Sequence, residues 1–351
     1  MMHIYRDTQW KARRLQDLRS GYLSLFTLYL LCSCEYKDLC YDHNHWAEVR
    51  VVFDWEESDD ATKQSDLPDE TQGGMTVLFY DMETEFAEPI RYDFPGRSGG
   101  VVRLQPGTYR AIAYNNDTET ILYRGWGHIS TISAYTRYSS IAEGTQLSRS
   151  DMPRAEDTEL QRVILEPDPL WMATSSEFTL TAADTEPGAE ATTITMQPTT
   201  RVRQVSITIR NVPNLQYTGQ FGGALSGLAG SVWAELGKPG DEVVTQAFPV
   251  SVLDETTLRA HFRIFGHCPH ADEGETNPHL LTIYAILADG NKWYYTVDVT
   301  EQIHDSGSST DEEIIVELDG LPVPKPIVNG SGFQPTVDGW LGEEIEVDML
   351  E

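Results

Sequence analysis

Basic residues are scarce in this chain. Only 25 Lys and Arg stand against 55 Asp and Glu, a formal net charge of −30 over 351 residues. A surface of that sign repels nucleic acid and anionic lipid headgroups, which excludes nucleic-acid binding. Cysteine is scarce too: four are present, Cys32, Cys34, Cys40 and Cys268, without the two C-x-x-C pairs that structural zinc sites use. No apolar run reaches the roughly 20 residues that a membrane-spanning helix needs. Nor does any stretch carry apolar residues at three-and-four spacing over three turns, so long amphipathic helices are excluded. A phosphate loop, a dinucleotide-binding glycine pattern and a zincin helix are all missing. Nothing in the sequence reads as an active site.

What is present begins near the start. A basic leader with Lys11, Arg13, Arg14 and Arg19 precedes the apolar run Gly21–Leu30, and Leu31-Cys32-Ser33-Cys34 closes it. Basic flank, short apolar run and a small residue before a cleavage point are the parts of an export signal. The chain then turns polar at Glu35, Lys37 and Asp38. Leu31 at −3, Ser33 at −1 and Cys34 at +1 resemble the lipobox of bacterial lipoproteins. That resemblance implies cleavage before Cys34, a diacylglyceryl group on its thiol and acylation of the new amine. One acyl chain binds a membrane only marginally, whereas several hold a protein there. The competing reading is an ordinary secretory leader after which Cys34 happens to stand. Either way Cys32 leaves with the leader, and Cys40 and Cys268 remain, as a pair or as two free thiols.

The chain as a whole is 40% apolar, enough for packed cores. Val49, Val51, Phe53 and Trp55 alternate with Arg50, Val52 and Asp54, the period-two pattern of a strand with one buried face. Similar runs occur at Met75–Tyr80, Ile90–Phe94, Val101–Leu104, Gly107–Asn115, Leu160–Glu166, Ser176–Leu180 and Thr192–Met196. Residues 56–74 read as a solvated acidic loop and 126–144 as a loop with room for a short helix. After Gln197-Pro198 a cleaner alternation starts, with Val205, Ile207 and Ile209 on one face. Further strands are expected at Ser231–Glu235, Ala247–Val252, Leu258–Ile264, Leu280–Leu287, Lys292–Val299 and Glu313–Leu318. Thr218 to Gly230 is too glycine-rich for a helix interior. Leu321-Pro-Val-Pro-Lys-Pro is a stiff extended linker. Many short strands between turn signals give an all-β protein, read as two β-sandwich domains in series. The expected division is a signal peptide over 1–33, a tether over 34–45, and sandwiches over 46–197 and 198–351.

Several chemistry-like signals are better explained by structure. Gly96-Arg97-Ser98-Gly99-Gly100 matches G-x-S-x-G, but a nucleophile elbow needs a helix after the serine and here a β run follows. His267, Cys268 and His270, with His261 and His279 nearby, offer metal-ligand types in a Pro/Asp/Gly-rich stretch that reads as a solvated loop, so no metal site is assigned. Asn115 to Glu119 lacks the calcium-loop pattern and reads as a turn. Trp126, Trp171 and Trp340 have the type that stacks on sugars, and equally the type that fills a core. With 55 acidic residues, carboxylate pairs arise by chance, and no catalytic residue or cofactor is expected.

Four stretches together resemble one family. They are Ser33 to His43 leading into Val49–Trp55, Pro106-Gly107-Thr108-Tyr109-Arg110, Leu225-Ser226-Gly227-Leu228-Ala229-Gly230, and Gly332 to Trp340. In this order they are similar to the FimB/Mfa-type fimbrial anchor lipoproteins of oral and gut Gram-negative anaerobes. The resemblance implies two transthyretin-like β-sandwiches behind a lipidated Cys34, with Leu31 and Ser33 recognised by the signal peptidase. It implies an outer-membrane protein, exposed on the cell surface, that tethers a fimbrium and limits its length. Its partners would be fimbrial shaft subunits, joined by strand addition or edge contact, and lipid through acylated Cys34. The alternating tail Glu344–Met349 is either an exchanged strand or the last strand of its own sheet. A fimbrial tip or adhesin subunit, and a glycan-binding lipoprotein of a polysaccharide-uptake system, share these features.

Overall fold

The computed structural model describes residues 45–55, 73–84, 88–147, 152–267, 278–305, 313–326 and 340–344. In chain order the first strands are β1 (Ala47–Phe53), β2 (Met75–Asp81), β3 (Ile90–Phe94), β4 (Gly99–Leu104), β5 (Gly107–Asn115), β6 (Ile121–Arg124), β7 (Ser133–Thr136), β8 (Arg162–Ile164), β9 (Trp171–Thr174), β10 (Phe178–Leu180) and β11 (Thr192–Met196). They continue as β12 (Thr199–Thr200), β13 (Arg203–Arg210), β14 (Thr218–Ala229), β15 (Ser231–Trp233), β16 (Val243–Pro249), β17 (Ser251–Val252), β18 (Leu258–Ile264), β19 (Leu280–Leu287), β20 (Lys292–Asp298), β21 (Ile314–Asp319) and β22 (Trp340–Glu344). Among the described residues two short helices, α1 (Ile141–Thr145) and α2 (Thr300–Asp305), interrupt them. The fold is all-β.

The alternation read in the first strand is what builds the first core. β1 buries Ala47, Val49, Val51 and Phe53 and turns Glu48 and Arg50 to solvent. It lies between β4, antiparallel, and β11, parallel. The facing sheet runs β12-β9-β5-β2-β3, with β10 also on β5. Val77, Phe79, Tyr109, Ala111 and Ala113 from that sheet close the core against β1, β4 and β11. Residues 95–98 therefore carry the chain from one sheet to the other, since β3 and β4 belong to different sheets.

The second pair of sheets is β17-β18-β13-β21 facing β22-β20-β19-β14-β16-β8. Val205, Ile207 and Ile209 meet Leu225, Leu281 and Ile283 across it, and Phe248 stacks on Phe262 at 4.0 Å between ring centroids. The glycine-rich stretch forms β14, the long strand inside this sheet, paired with β16 and β19. Its glycines are there for room: a Cβ on Gly222 would stand 2.5 Å from Thr145 Cβ, and one on Gly223 2.3 Å from the Phe248 ring.

Strands cross between the two halves. β8 precedes residue 197 yet pairs in parallel with β16, and α1 packs with Leu147 and Val163 on Ala224, Ala247 and Tyr284. β15 in turn reaches back to pair with β7. The stretch 126–144, expected as loop with a short helix, thus supplies β7 as well as α1. A third core joins the outer face of the first sandwich, Leu78, Tyr80 and Ile112, to Val232, Ala234 and Phe265. The described residues consequently form one compact unit. No helix among the described residues is long and apolar enough to cross a membrane.

Candidate functional site

Cys34, expected to carry lipidation, and Leu31 and Ser33, expected to be recognised by the signal peptidase, lie outside the described residues, as do Cys40, Cys268 and His270. The first described strand after them is β1, the central strand of its sheet, held on both sides by ladders to β4 and β11. The last described strand, β22, lies in the other sandwich, at the edge of the six-stranded sheet. It pairs in parallel with β20, from Lys292↔Trp340 to Thr296↔Glu344. Trp340 seats it: the indole meets the buried Tyr284 ring edge-on at 5.4 Å, and the Lys292 ammonium stands 5.9 Å from the indole centroid. Tyr284 is itself fixed by donating its hydroxyl hydrogen to the Pro153 carbonyl at 2.6 Å. Trp340 to Glu344 therefore complete their own sheet, while Ile345, Val347 and Met349 of the alternating tail lie outside the described residues.

A second constellation stands at one end of the same sandwich. His267 follows β18, His279 precedes β19 and His304 lies in α2, and their ligand atoms all fall within 4.8 Å of one another. The expectation of a solvated loop fails for His279, which is fully buried. A bulge in β14 makes its place, where pairing with β16 shifts register between Leu225 and Leu228. Gly227 there has φ of +76°, the left-handed region that favours glycine. The freed Ser226 carbonyl accepts a hydrogen bond from His279 Nδ1 at 3.1 Å, and the Ser226 hydroxyl accepts from the Leu280 N–H at 2.9 Å. The His279 N–H donates to Thr300 Oγ1 at 2.8 Å, and its carbonyl accepts from the Val299 N–H at 2.9 Å. With Nδ1 committed as a donor, the neutral ring keeps its lone pair on Nε2, 3.1 Å from His304 Nε2. Burial pushes the His279 pKa down to about 4, so the ring is neutral at physiological pH. His261 stands apart, on β18, with Nδ1 3.0 Å from the Ser206 hydroxyl and 3.6 Å from Glu313.

The remaining candidates are structural. Ser98 is followed by β4 and not by a helix. Asn115 donates to Asp117 and to the Pro169 carbonyl and accepts from the Trp171 N–H at 2.7 Å, so its side chain brackets the turn into β9. Trp171 packs edge-on against Trp55 at 5.6 Å, whereas Trp126 stands beside Tyr123 at 5.6 Å and Trp340 on Tyr284. Each indole serves a different contact.

A family model described as a domain of unknown function, DUF5119, matches residues 33–249. A Bacteroides ovatus protein named as the fimbrium anchoring subunit Fim4B is 25% identical, covering 95% of this chain and 99% of its own length. Among solved structures, a protein described as an adhesin from Bacteroides ovatus superposes with a TM-score of 0.53 at 21% identity, over 83% of this chain and 99% of that one. The fimbrial anchor protein Mfa2 from Porphyromonas gingivalis matches with a TM-score of 0.45 at 14% identity, over 78% of this chain and 89% of its own.

Proposed function

The chain belongs to the DUF5119 family, and on that premise we propose that it is a lipid-anchored structural subunit fastening a fimbrium to the outer membrane. The observation that carries this reading is the end-to-end likeness to Fim4B, over 95% of this chain and 99% of the relative. Likeness to a fimbrium anchoring subunit supports a place in the cell envelope and a non-enzymatic role.

The fold suits such a task. Acyl chains on Cys34 hold the protein in the membrane, and load passing along the tether enters at β1. Because β1 is paired on both sides, a pull along its axis must shear two ladders together rather than unzip one edge. At the other end of the chain, sheet edges offer unpaired N–H and C=O groups to an added strand. The fimbrial shaft subunit joins at such an edge, and a subunit that is held by lipid closes the fimbrium at its base and so limits its length.

The test is recovery of the tagged protein from detergent-solubilised outer membrane, with mass spectrometry of what accompanies it. A fimbrial shaft subunit is expected among the recovered proteins. Recovery of a TonB-type transporter with glycan-processing partners, and no shaft subunit, contradicts the reading.

A further inference from the structure

We propose that His267, His279 and His304 form a binding site for one divalent transition-metal ion of the zinc class. Three imidazoles from three separate elements converge, and their ligand atoms all lie within 4.8 Å of one another. Nitrogens that share a tetrahedral zinc at roughly 2.0–2.1 Å each are about 3.3 Å apart. The observed separation of 3.1 Å between His279 Nε2 and His304 Nε2 already matches. Bringing in His267 takes only a side-chain adjustment, since its ring centroid is 4.9 Å from that of His304 and 5.7 Å from that of His279.

The surroundings are those of a ligand cluster and not of three rings that merely pack. His279 donates its Nδ1 hydrogen to the Ser226 carbonyl, which is the outer-shell bond that fixes a metal-binding tautomer and presents Nε2. The backbone on both sides is fixed as well. His279 is tied to Thr300 and Val299, and His267 makes a bridge to Leu228 on β14. Such a preformed frame favours metal binding, because the ordering of the ligands is then already complete. An all-imidazole donor set suits zinc, copper, nickel or iron and not magnesium or calcium, which prefer oxygen. Three protein ligands leave a fourth position for water or an external ligand. The bound ion would pin together the end of β18, the start of β19 and α2, and so close one end of the second sandwich. This inference stands whether or not the protein anchors a fimbrium.

The experiment is a titration of the metal-free, untagged protein with Zn²⁺ and with Co²⁺, alongside Mg²⁺ as a control for the acidic surface. Thermal midpoint and bound metal per chain are read for wild type, His304→Gln, His267→Gln and His261→Gln. Neither His304 nor His267 is fully buried, so their variants should fold, whereas a change at the buried His279 would also disturb the core around it. Expected are one Zn²⁺ per chain, a raised midpoint, and visible absorption of tetrahedral Co²⁺, none of it produced by Mg²⁺. Loss of one ligand should weaken binding on the order of a hundredfold or more, because loss of an outer-shell partner alone costs 10–100-fold. His261→Gln should bind as wild type does. No midpoint shift and no bound Zn²⁺ in the wild type, or equal binding by His304→Gln and wild type, overturns the proposal.

Discussion

Gly227 and His279 are fitted to each other: a Cβ at position 227 would stand 2.6 Å from His279 Nδ1 and 2.5 Å from the Pro278 carbonyl oxygen. The bulge that turns the Ser226 carbonyl toward the imidazole therefore depends on a residue without a side chain. Gly320 is the natural comparison, since its φ of +83° is as unusual but nothing lies within 4 Å of its Cβ position. Gly320→Ala should cost only the left-handed strain, about 1–2 kcal/mol. Gly227→Ala adds a clash with the Pro278 carbonyl and one with the His279 ring, and should cost roughly 3 kcal/mol or more. Chemical denaturation midpoints of the two variants check the difference.

The junction between the sandwiches carries a testable ion pair. Arg110 on β5 meets Glu235, just beyond β15, at 2.6 Å, and both side chains are largely covered, at 26% and 19% exposure. A double-mutant cycle with Arg110→Ala and Glu235→Ala should give a coupling of about 1–3 kcal/mol, above the range of exposed surface pairs. Coupling near zero would mean that the third core and the crossing strands hold the halves together without this pair.

Glu166 predicts a pH effect. It accepts from the Arg263 N–H at 3.2 Å and the Arg263 guanidinium at 3.0 Å, yet burial outweighs that partner and raises its pKa above the ordinary glutamate value. The folded state then keeps the proton to a higher pH than the unfolded chain, so folding is favoured below the unfolded pKa and that part is lost as pH rises through the folded one. Glu166→Gln removes this titration. The stability of wild type relative to Glu166→Gln should fall as pH rises from about 4.5, in urea melts taken across that range.

The last described strand pairs with β20, and Trp340 packs it on Tyr284 of β19. Trp340→Ala should release β22 locally, raising amide exchange along β20 and protease cleavage near residue 340. The main core is built without it, so the global midpoint should move by no more than about 2 kcal/mol, less than a fully buried Trp→Ala change.

Strands with one buried face were legible in the sequence because alternation is a direct imprint of that geometry, as in Val49, Val51 and Phe53 or Val205, Ile207 and Ile209. β14 was not, since glycines chosen for closeness to Thr145 and Phe248 erase the pattern that marks a strand. The pairing of β7 with β15 and of β8 with β16 is long-range and leaves no local signal. Of the histidine cluster, His267 and His279 stood out as metal-ligand types, whereas His304 did not, because it lies 25 residues beyond His279 in a six-residue helix. The signal was nonetheless present. Pairing the β19 and β20 runs as an antiparallel hairpin sets Leu280 opposite Asp298, which returns the chain to His279 just as α2 begins.

Anchoring is tested most directly by where the fimbriae are. In a strain whose chromosomal copy carries Cys34→Ala, fimbriae on cells are counted and those in the medium are collected and probed for this chain. Anchoring through an acylated Cys34 requires intact fimbriae to accumulate in the medium with the altered protein at their ends, while the number on cells falls. Fimbriae retained on Cys34→Ala cells in wild-type number would contradict it.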